Sequence, residues 1–240
     1  MIGLVYRAAV DARPADWVVA SLRDFAKSVQ SLVPAGFAEY VRVFHPAHRA
    51  SGSGRVAVTW AEIARANGTQ MHPGVQLGSI TGSERYEREG QAGVFDEPPQ
   101  TGSVPRDLLD SLAAVLACHT TSPSACYFAI WEGLGALPAD IRSAPTFSVP
   151  GRTYHLLTGP VQAVPELPAP LRDQSPNLWW PQDRAWCVAT EIDLKSTYIG
   201  ADRRCARQLA CLPAVEAATV SSQAGIDWLS DTLNPRQQSA

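Results

Sequence analysis

Residues Ser175–Gly200 read SPNLWWPQDRAWCVATEIDLKSTYIG and hold three of the chain's seven tryptophans. From Trp186 onward the side chains alternate. Trp186, Val188, Thr190 and Ile192 fall on one side and Cys187, Ala189, Glu191 and Asp193 on the other, a period-two pattern that predicts a long strand over Trp186–Leu194. Outward from this block, Cys126–Trp131 (CYFAIW) is a short aromatic run between Pro123 and Gly133, which predicts a strand buried on both faces. Tyr154–Thr158 and Phe37–Phe44 read as further strands, the latter stopped by His45-Pro46, because proline removes a ladder donor and restricts the residue before it. Arg55–Val58 and Ala214–Val220 add two short ones.

The helical patterns lie apart from these strands. Trp17, Val18, Leu22, Phe25, Val29 and Leu32 recur at three- and four-residue steps and predict an amphipathic helix over Pro14–Leu32. Thr59 with Glu62 three residues on is a capping box for a helix that ends near Asn67-Gly68. Leu108, Leu109, Leu112, Val115 and Leu116 form the stripe of a third helix running to Cys118, and Asp202 caps a fourth over Arg203–Leu212. Strands in runs beside segregated helices, with no βαβ rhythm, predict an α+β fold: a mainly antiparallel twisted sheet with helices packed on one face. The reading is one domain over residues 1–240, with 69–105 as a long irregular loop, a proline-rich connector from Pro160 to Pro170, and 221–240 as a polar C-terminal tail.

Composition narrows the function classes. With 240 residues, 45% of them hydrophobic and 18% charged, the chain can bury a sizeable core. A formal net charge of −3 leaves no electrostatic footprint for nucleic acid or an anionic membrane surface. No stretch approaches 18 consecutive apolar residues and no signal-peptide pattern opens the chain, so the expected location is the cytoplasm. Five cysteines, an odd number without a CxxC pair, are expected as free and mostly buried thiols.

No catalytic signature or cofactor motif is spelled out. His45-Pro-Ala-His48 with His72 could supply three imidazoles to a zinc ion, but Pro46 spoils the helical HxxH geometry and no HExxH accompanies it. His119, Cys126 and Glu132 suggest a thiol nucleophile, yet Cys126 opens an apolar strand where a thiol is inert. Glu191 and Asp193 share a face, as a paired carboxylate would, although such pairs commonly sit on a solvated outer face.

HPAHR, VTWAEIARANG, CYFAIWEGLG, YHLLTGPV and SPNLWWPQDRAWCVATEIDLKSTYIG resemble, over nearly the whole chain, a group of actinobacterial proteins described as hypothetical. The resemblance implies a cytoplasmic unit and transfers no activity, cofactor or catalytic residue. A glycine pair expected after the last strand of that block is Gly200-Ala201 here, which would affect only a turn. More loosely, the closing pattern is similar to small bacterial immunity or partner-binding proteins, a likeness of fold alone.

Three expectations follow. The first is a non-enzymatic binding module for a protein partner, with Trp179 and Trp180 as an apolar shelf and Asp183 and Arg184 as oriented polar contacts. The plainer alternative for that block buries Trp186 and one of the paired indoles and leaves Asp183 and Arg184 to satisfy the turn. The second is a small-molecule-binding protein or hydrolase with a polar pocket of His45, His72, Glu132 and Glu191, covered by 69–105 as a lid. The third is a structural subunit of a homo-oligomer.

Overall fold

The computed structural model describes residues 6–52, 54–135, 137–166, 174–213 and 215–234. Its strands are β1 Arg7–Ala8, β2 Glu39–Phe44, β3 Ala47–Ser51, β4 Gly54–Val58, β5 Cys126–Trp131, β6 Thr146–Val149, β7 Arg152–Gly159, β8 Leu178–Pro181, β9 Cys187–Ala189, β10 Ser196–Ala201 and β11 Ala217–Val220. Its helices are α1 Asp16–Ser21, α2 Trp60–Ala66, α3 Leu77–Thr81, α4 Arg106–Ala117, α5 Ala139–Arg142 and α6 Arg203–Ala210. Among the described residues nine strands form one antiparallel sheet in the order β1-β7-β5-β8-β9-β10-β2-β11, with β6 also paired to β7; β3 and β4 make a separate hairpin. The fold is α+β, as expected.

Alternation along β5 shows how the sheet divides the core. Cys126, Phe128 and Ile130 face the cluster built on α4 and α6, where Leu108, Leu109, Leu112, Leu116, Cys205 and Leu209 are buried. Each leucine buried there contributes about 1.5–3 kcal/mol. Tyr127, Ala129 and Trp131 face the opposite cluster, which the N-terminal segment covers with Val18, Leu22, Val29 and Leu32. The two longest helices thus share one face, and the other is covered by short α1 and irregular chain. A third cluster joins α2 and α3 to Phe44 and Phe95.

The departures from the sequence reading have identifiable causes. The Pro14–Leu32 helix stops at Ser21, because Leu22 turns extended (φ −79, ψ 113) and Ser28 bridges to Gly225. The chain beyond it donates to the C-terminal segment, from Val29 N to Ala224 O at 3.0 Å and from Gln30 N to Ser222 O at 2.9 Å. The 69–105 segment contains α3 and a 3-10 turn over Glu84–Glu87, anchored by Val75, Leu77, Ile80 and Phe95 in the third cluster. Of the C-terminal tail, residues 221–234 are packed: Ile226 and Asn234 are buried, and Asn234 exchanges hydrogen bonds with Gln70. Residues 235–240, like 167–173 of the proline-rich connector, lie outside the described residues.

The strand expected over Trp186–Leu194 is only β9. Asp193 N donates to Glu191 Oε2 at 2.7 Å and Leu194 N to Glu191 O at 3.0 Å, a turn that reverses the chain into β10. Gly200-Ala201 lie within β10 rather than in a turn. A Cβ at Gly200 would meet the Phe37 ring at 2.3 Å, so the missing side chain lets that ring cover the strand.

Candidate functional site

The tryptophans of the quoted block are in the core. Trp179 and Trp180 occupy β8 at 0% and 1% exposure, and adjacent strand positions send them to opposite faces. Trp179 meets Trp186 edge-on, with centroids 5.2 Å apart, in the α4 cluster. Trp180 contacts Trp17, Tyr127 and Phe147 on the other side. The expected apolar shelf is therefore absent, because an indole enclosed on all sides has no face to offer a partner. Asp183 and Arg184 are exposed in the turn that follows.

Asp183 staples this turn to the loop after α4. It accepts from Thr120 Oγ1 at 2.8 Å, Thr121 N at 2.6 Å and Thr121 Oγ1 at 2.8 Å. Burial pulls its carboxyl upward, but the hydrogen bonds from Thr121 and Thr120 outweigh that and hold it below the usual carboxylate range. Arg184 has φ +56 and stacks its guanidinium 5.4 Å from the Trp17 ring centre. Replacing Asp183 with alanine is expected to cost about 1–2 kcal/mol in urea unfolding. A loss below about 0.3 kcal/mol would show that the staple does not hold the turn.

The four residues expected to share a polar pocket do not meet. Among the described residues no hydrogen bond or ion pair joins any two of them. His45 is buried, with Nδ1 2.7 Å from Gln100 O and Nε2 2.9 Å from Thr197 Oγ1. His72 Nε2 lies 2.9 Å from Asp231 Oδ1. Glu132 is exposed beyond β5. Glu191 is 7% exposed and takes two contacts from Arg152, Nε at 2.8 Å and Nη2 at 2.5 Å. Arg152 Nη2 also reaches Asp193 Oδ2 at 3.2 Å, so the two carboxylates do converge, with a guanidinium between them.

The thiol and metal readings lack geometry. His119 at the end of α4 contacts Gln208 Oε1 at 2.8 Å, while burial pushes the Cys126 thiol up to about 12, far from an activated thiolate. His48 stands in β3 rather than on a helical turn with His45. Among the described residues no group of three or more His, Cys, Asp or Glu side chains could hold a metal ion. No helix among them is long and apolar enough to cross a membrane.

What the fold does build is a cleft that reaches Arg42 of β2 and Ser196 and Tyr198 of β10. Its walls are the chain at Phe25-Ala26, the Glu191–Lys195 turn, the 3-10 turn at Glu84–Glu87 and the packed tail around Ile226–Trp228. The outer chamber has a volume of about 350 Å³ and is lined by Phe25, Ala26, Leu194, Ile226 and Trp228 together with five carboxylates, those of Glu84, Glu87, Glu191, Asp193 and Asp227. Phe25 and Trp228 are 42% and 53% exposed, large apolar surfaces left at its mouth. An inner recess of about 60 Å³ adjoins it through the shared residues Glu87, Asp193, Leu194, Ile226 and Trp228. That recess ends on Arg42, Lys195, Ser196 and Tyr198.

Each wall has a local cause. Arg152, stacked 4.6 Å from the centre of Phe25, fixes both Phe25 and the Glu191–Asp193 turn. Trp228 and Asp227 are presented by a turn in which Asp227 Oδ1 accepts from Leu229 N at 2.8 Å. Lys195 Nζ lies 3.7 Å from Glu87 Oε2, bridging the two loops across the recess.

Of the candidate residues read from sequence, Glu191 and its paired carboxylate Asp193 line this cleft. Two of the others could have been found there: Arg42 is the single basic residue within the apolar strand YVRVF, and Trp228 is a lone indole in a polar tail. Phe25 was disguised by its place in an apolar period. Comparison with family models, curated proteins and solved structures returns no match.

Proposed function

We propose that the protein binds a small organic cation with an apolar body in the outer chamber. The observation that carries this reading is the meeting of five carboxylates and two exposed aromatic rings around one cavity of about 350 Å³. Carboxylates attract an ammonium group, and an aromatic face stabilises a cation and covers the carbon skeleton attached to it. Among the described residues five acidic side chains and no basic one line the chamber, and the one guanidinium of Arg152 is shared between Glu191 and Asp193. A concave, partly apolar site with a few directed polar groups has the general form of a small-molecule pocket.

The reading replaces a protein partner held on Trp179 and Trp180, whose burial removes the anchor residues such an interface needs. It asks for no catalysis.

Phenylethylammonium is a suitable probe, compared with 2-phenylethanol, its neutral counterpart of like shape. Titration calorimetry is expected to detect the amine and not the alcohol. The Asp193→Asn, Asp227→Asn double variant should weaken amine binding at least tenfold, about 1.4 kcal/mol, with the fold retained by circular dichroism. Equal binding of amine and alcohol, or an unchanged affinity in the double variant, would overturn the reading.

A further inference from the structure

We infer that the inner recess is a carboxylate subsite, so that the cleft selects a zwitterion of the amino-acid type, its carboxylate on Arg42 and its ammonium among the carboxylates of the outer chamber. The inference rests on the small-cation reading of that chamber and adds the second charge.

Arg42 lies in the middle of β2 and is 3% exposed. Its guanidinium is stacked among three rings, 4.6 Å from the centre of Phe44, 5.3 Å from Trp60 and 5.7 Å from Tyr198. Nε donates to Ser196 Oγ at 3.0 Å, and Nη1 donates to Pro73 O at 3.2 Å and Val75 O at 2.7 Å. All of these partners are neutral. Among the described residues no carboxylate comes within ion-pair distance of it, although the chain has 23 acidic residues and five carboxylates line the same cleft.

Asp231 acts on Arg42 from beyond ion-pair distance, and burial outweighs it. A buried cation with no directly paired carboxylate is costly. Breaking or omitting a buried ion pair commonly costs several kcal/mol, and an apolar side chain of similar volume would fill such a position at less expense. Aromatic stacking and three neutral acceptors offset part of that cost. Nη2 has no hydrogen-bond partner among the described residues. Among the described residues the enclosed side-chain nitrogens left without partners are those of Trp17 and Trp179, not an Arg42 nitrogen. Nη2 is therefore open to the recess that Arg42 lines.

The remaining floor has matching chemistry. Lys195 lines the same recess, and burial lowers its ammonium pKa while Glu87 opposes that shift. Ser196 adds a hydroxyl 3.0 Å from Arg42 Nε. Two cations and a hydroxyl around a space of about 60 Å³ suit a carboxylate, which takes directed hydrogen bonds from a guanidinium edge. Charge is thus segregated along the cleft, basic inside and acidic outside, and Asp193 and Glu87 stand at the boundary between the two compartments. A ligand whose carboxylate and ammonium are separated by one carbon spans such a boundary. A simple amine leaves Arg42 unsatisfied, and a simple acid meets the carboxylates of the mouth.

The test compares three probes by titration calorimetry: phenylalanine, phenylethylammonium and 3-phenylpropanoate. Phenylalanine is expected to bind at least tenfold tighter than the amine and a hundredfold tighter than the acid. Arg42→Met keeps the volume and removes the charge, and it should abolish the tenfold preference while leaving amine affinity unchanged. Lys195→Gln, outside the sheet interior, should reduce the preference severalfold and keeps the test valid if the Arg42 variant is poorly folded. Phenylalanine binding no tighter than the amine, with the amine still bound, would overturn the carboxylate subsite and leave the cation reading standing. Binding of neither would overturn both.

Discussion

Trp179→Ala is expected to lower the unfolding free energy by about 3–5 kcal/mol, the range for truncating a large aromatic in a packed interior. The indole is fully buried between α4 and the sheet and edge-on to Trp186. Its removal leaves a cavity that Leu112, Leu116 and Val188 of the same cluster can fill only in part. Urea denaturation followed by far-UV circular dichroism measures the effect. A loss below about 1 kcal/mol would show that the side chain is not part of the core, and the interface reading of the Trp179-Trp180 pair would regain its basis. The phenylalanine variants sharpen the test. Trp179 Nε1 is buried without a partner among the described residues, so Trp179→Phe removes an unsatisfied donor and offsets part of the lost contact area. Trp186 Nε1 donates to Leu116 O at 2.9 Å, so Trp186→Phe forfeits a hydrogen bond as well and should cost more than the Trp179 exchange.

These two indoles also show what a linear pattern conveys and what it does not. The short aromatic run CYFAIW between Pro123 and Gly133 identified β5, and the Thr59–Glu62 box fixed the start of α2 to the residue, with Thr59 accepting from Glu62 N, because both signals are local. The Pro14–Leu32 period identified residues that are mostly buried, since Val18, Leu22, Val29 and Leu32 reach one cluster. It overran the helix, which ends at Ser21, because Val29 and Gln30 take their backbone partners from Ala224 and Ser222, far away in the chain. β10 was hidden for the same kind of reason. STYIGA was read as the end of a block, yet it is the strand that joins β9 to β2. The cleft is assembled from four such distant segments, so its residues share no spacing. What marked it in the sequence was anomaly: a basic residue in an apolar strand and an indole in a polar tail. Glu191 and Asp193 do converge, but in a turn beyond β9 rather than on the strand face expected for them, and Arg152, the residue that unites them, comes from a strand far upstream.

His45 supplies the second large effect, through pH. Its imidazole is held near pKa 4 by burial first of all. The nearby charges of Arg42 and Lys195 lower it further, and the hydrogen bond with Gln100 opposes them. Gln100 O can only accept, so Nδ1 carries the proton, and Nε2 accepts from the Thr197 hydroxyl. Thr190 Oγ1 lies 2.9 Å from Thr197 Oγ1 and completes the chain by donating to it. A proton added at Nε2 would face a donor and break this order. The folded pKa therefore lies below the unfolded value near 6.5, and the unfolded chain binds the extra proton first as the pH falls. The stabilisation is complete above pH 6.5, declines through the interval down to about 4, and is gone below it, a total of about 3 kcal/mol. Between pH 7 and pH 4.5 the wild type should lose about 2 kcal/mol more than His45→Gln, whose amide cannot be protonated in this range. Carboxylates titrating over the same interval contribute to both proteins and drop out of the difference. Urea midpoints with their slopes, measured at both pH values for both proteins, give the comparison directly. Parallel losses, within about 0.5 kcal/mol, would mean that His45 is protonated as readily in the folded protein as in the unfolded chain. The ordered chain from Gln100 to Thr190 would then not be what holds the imidazole neutral.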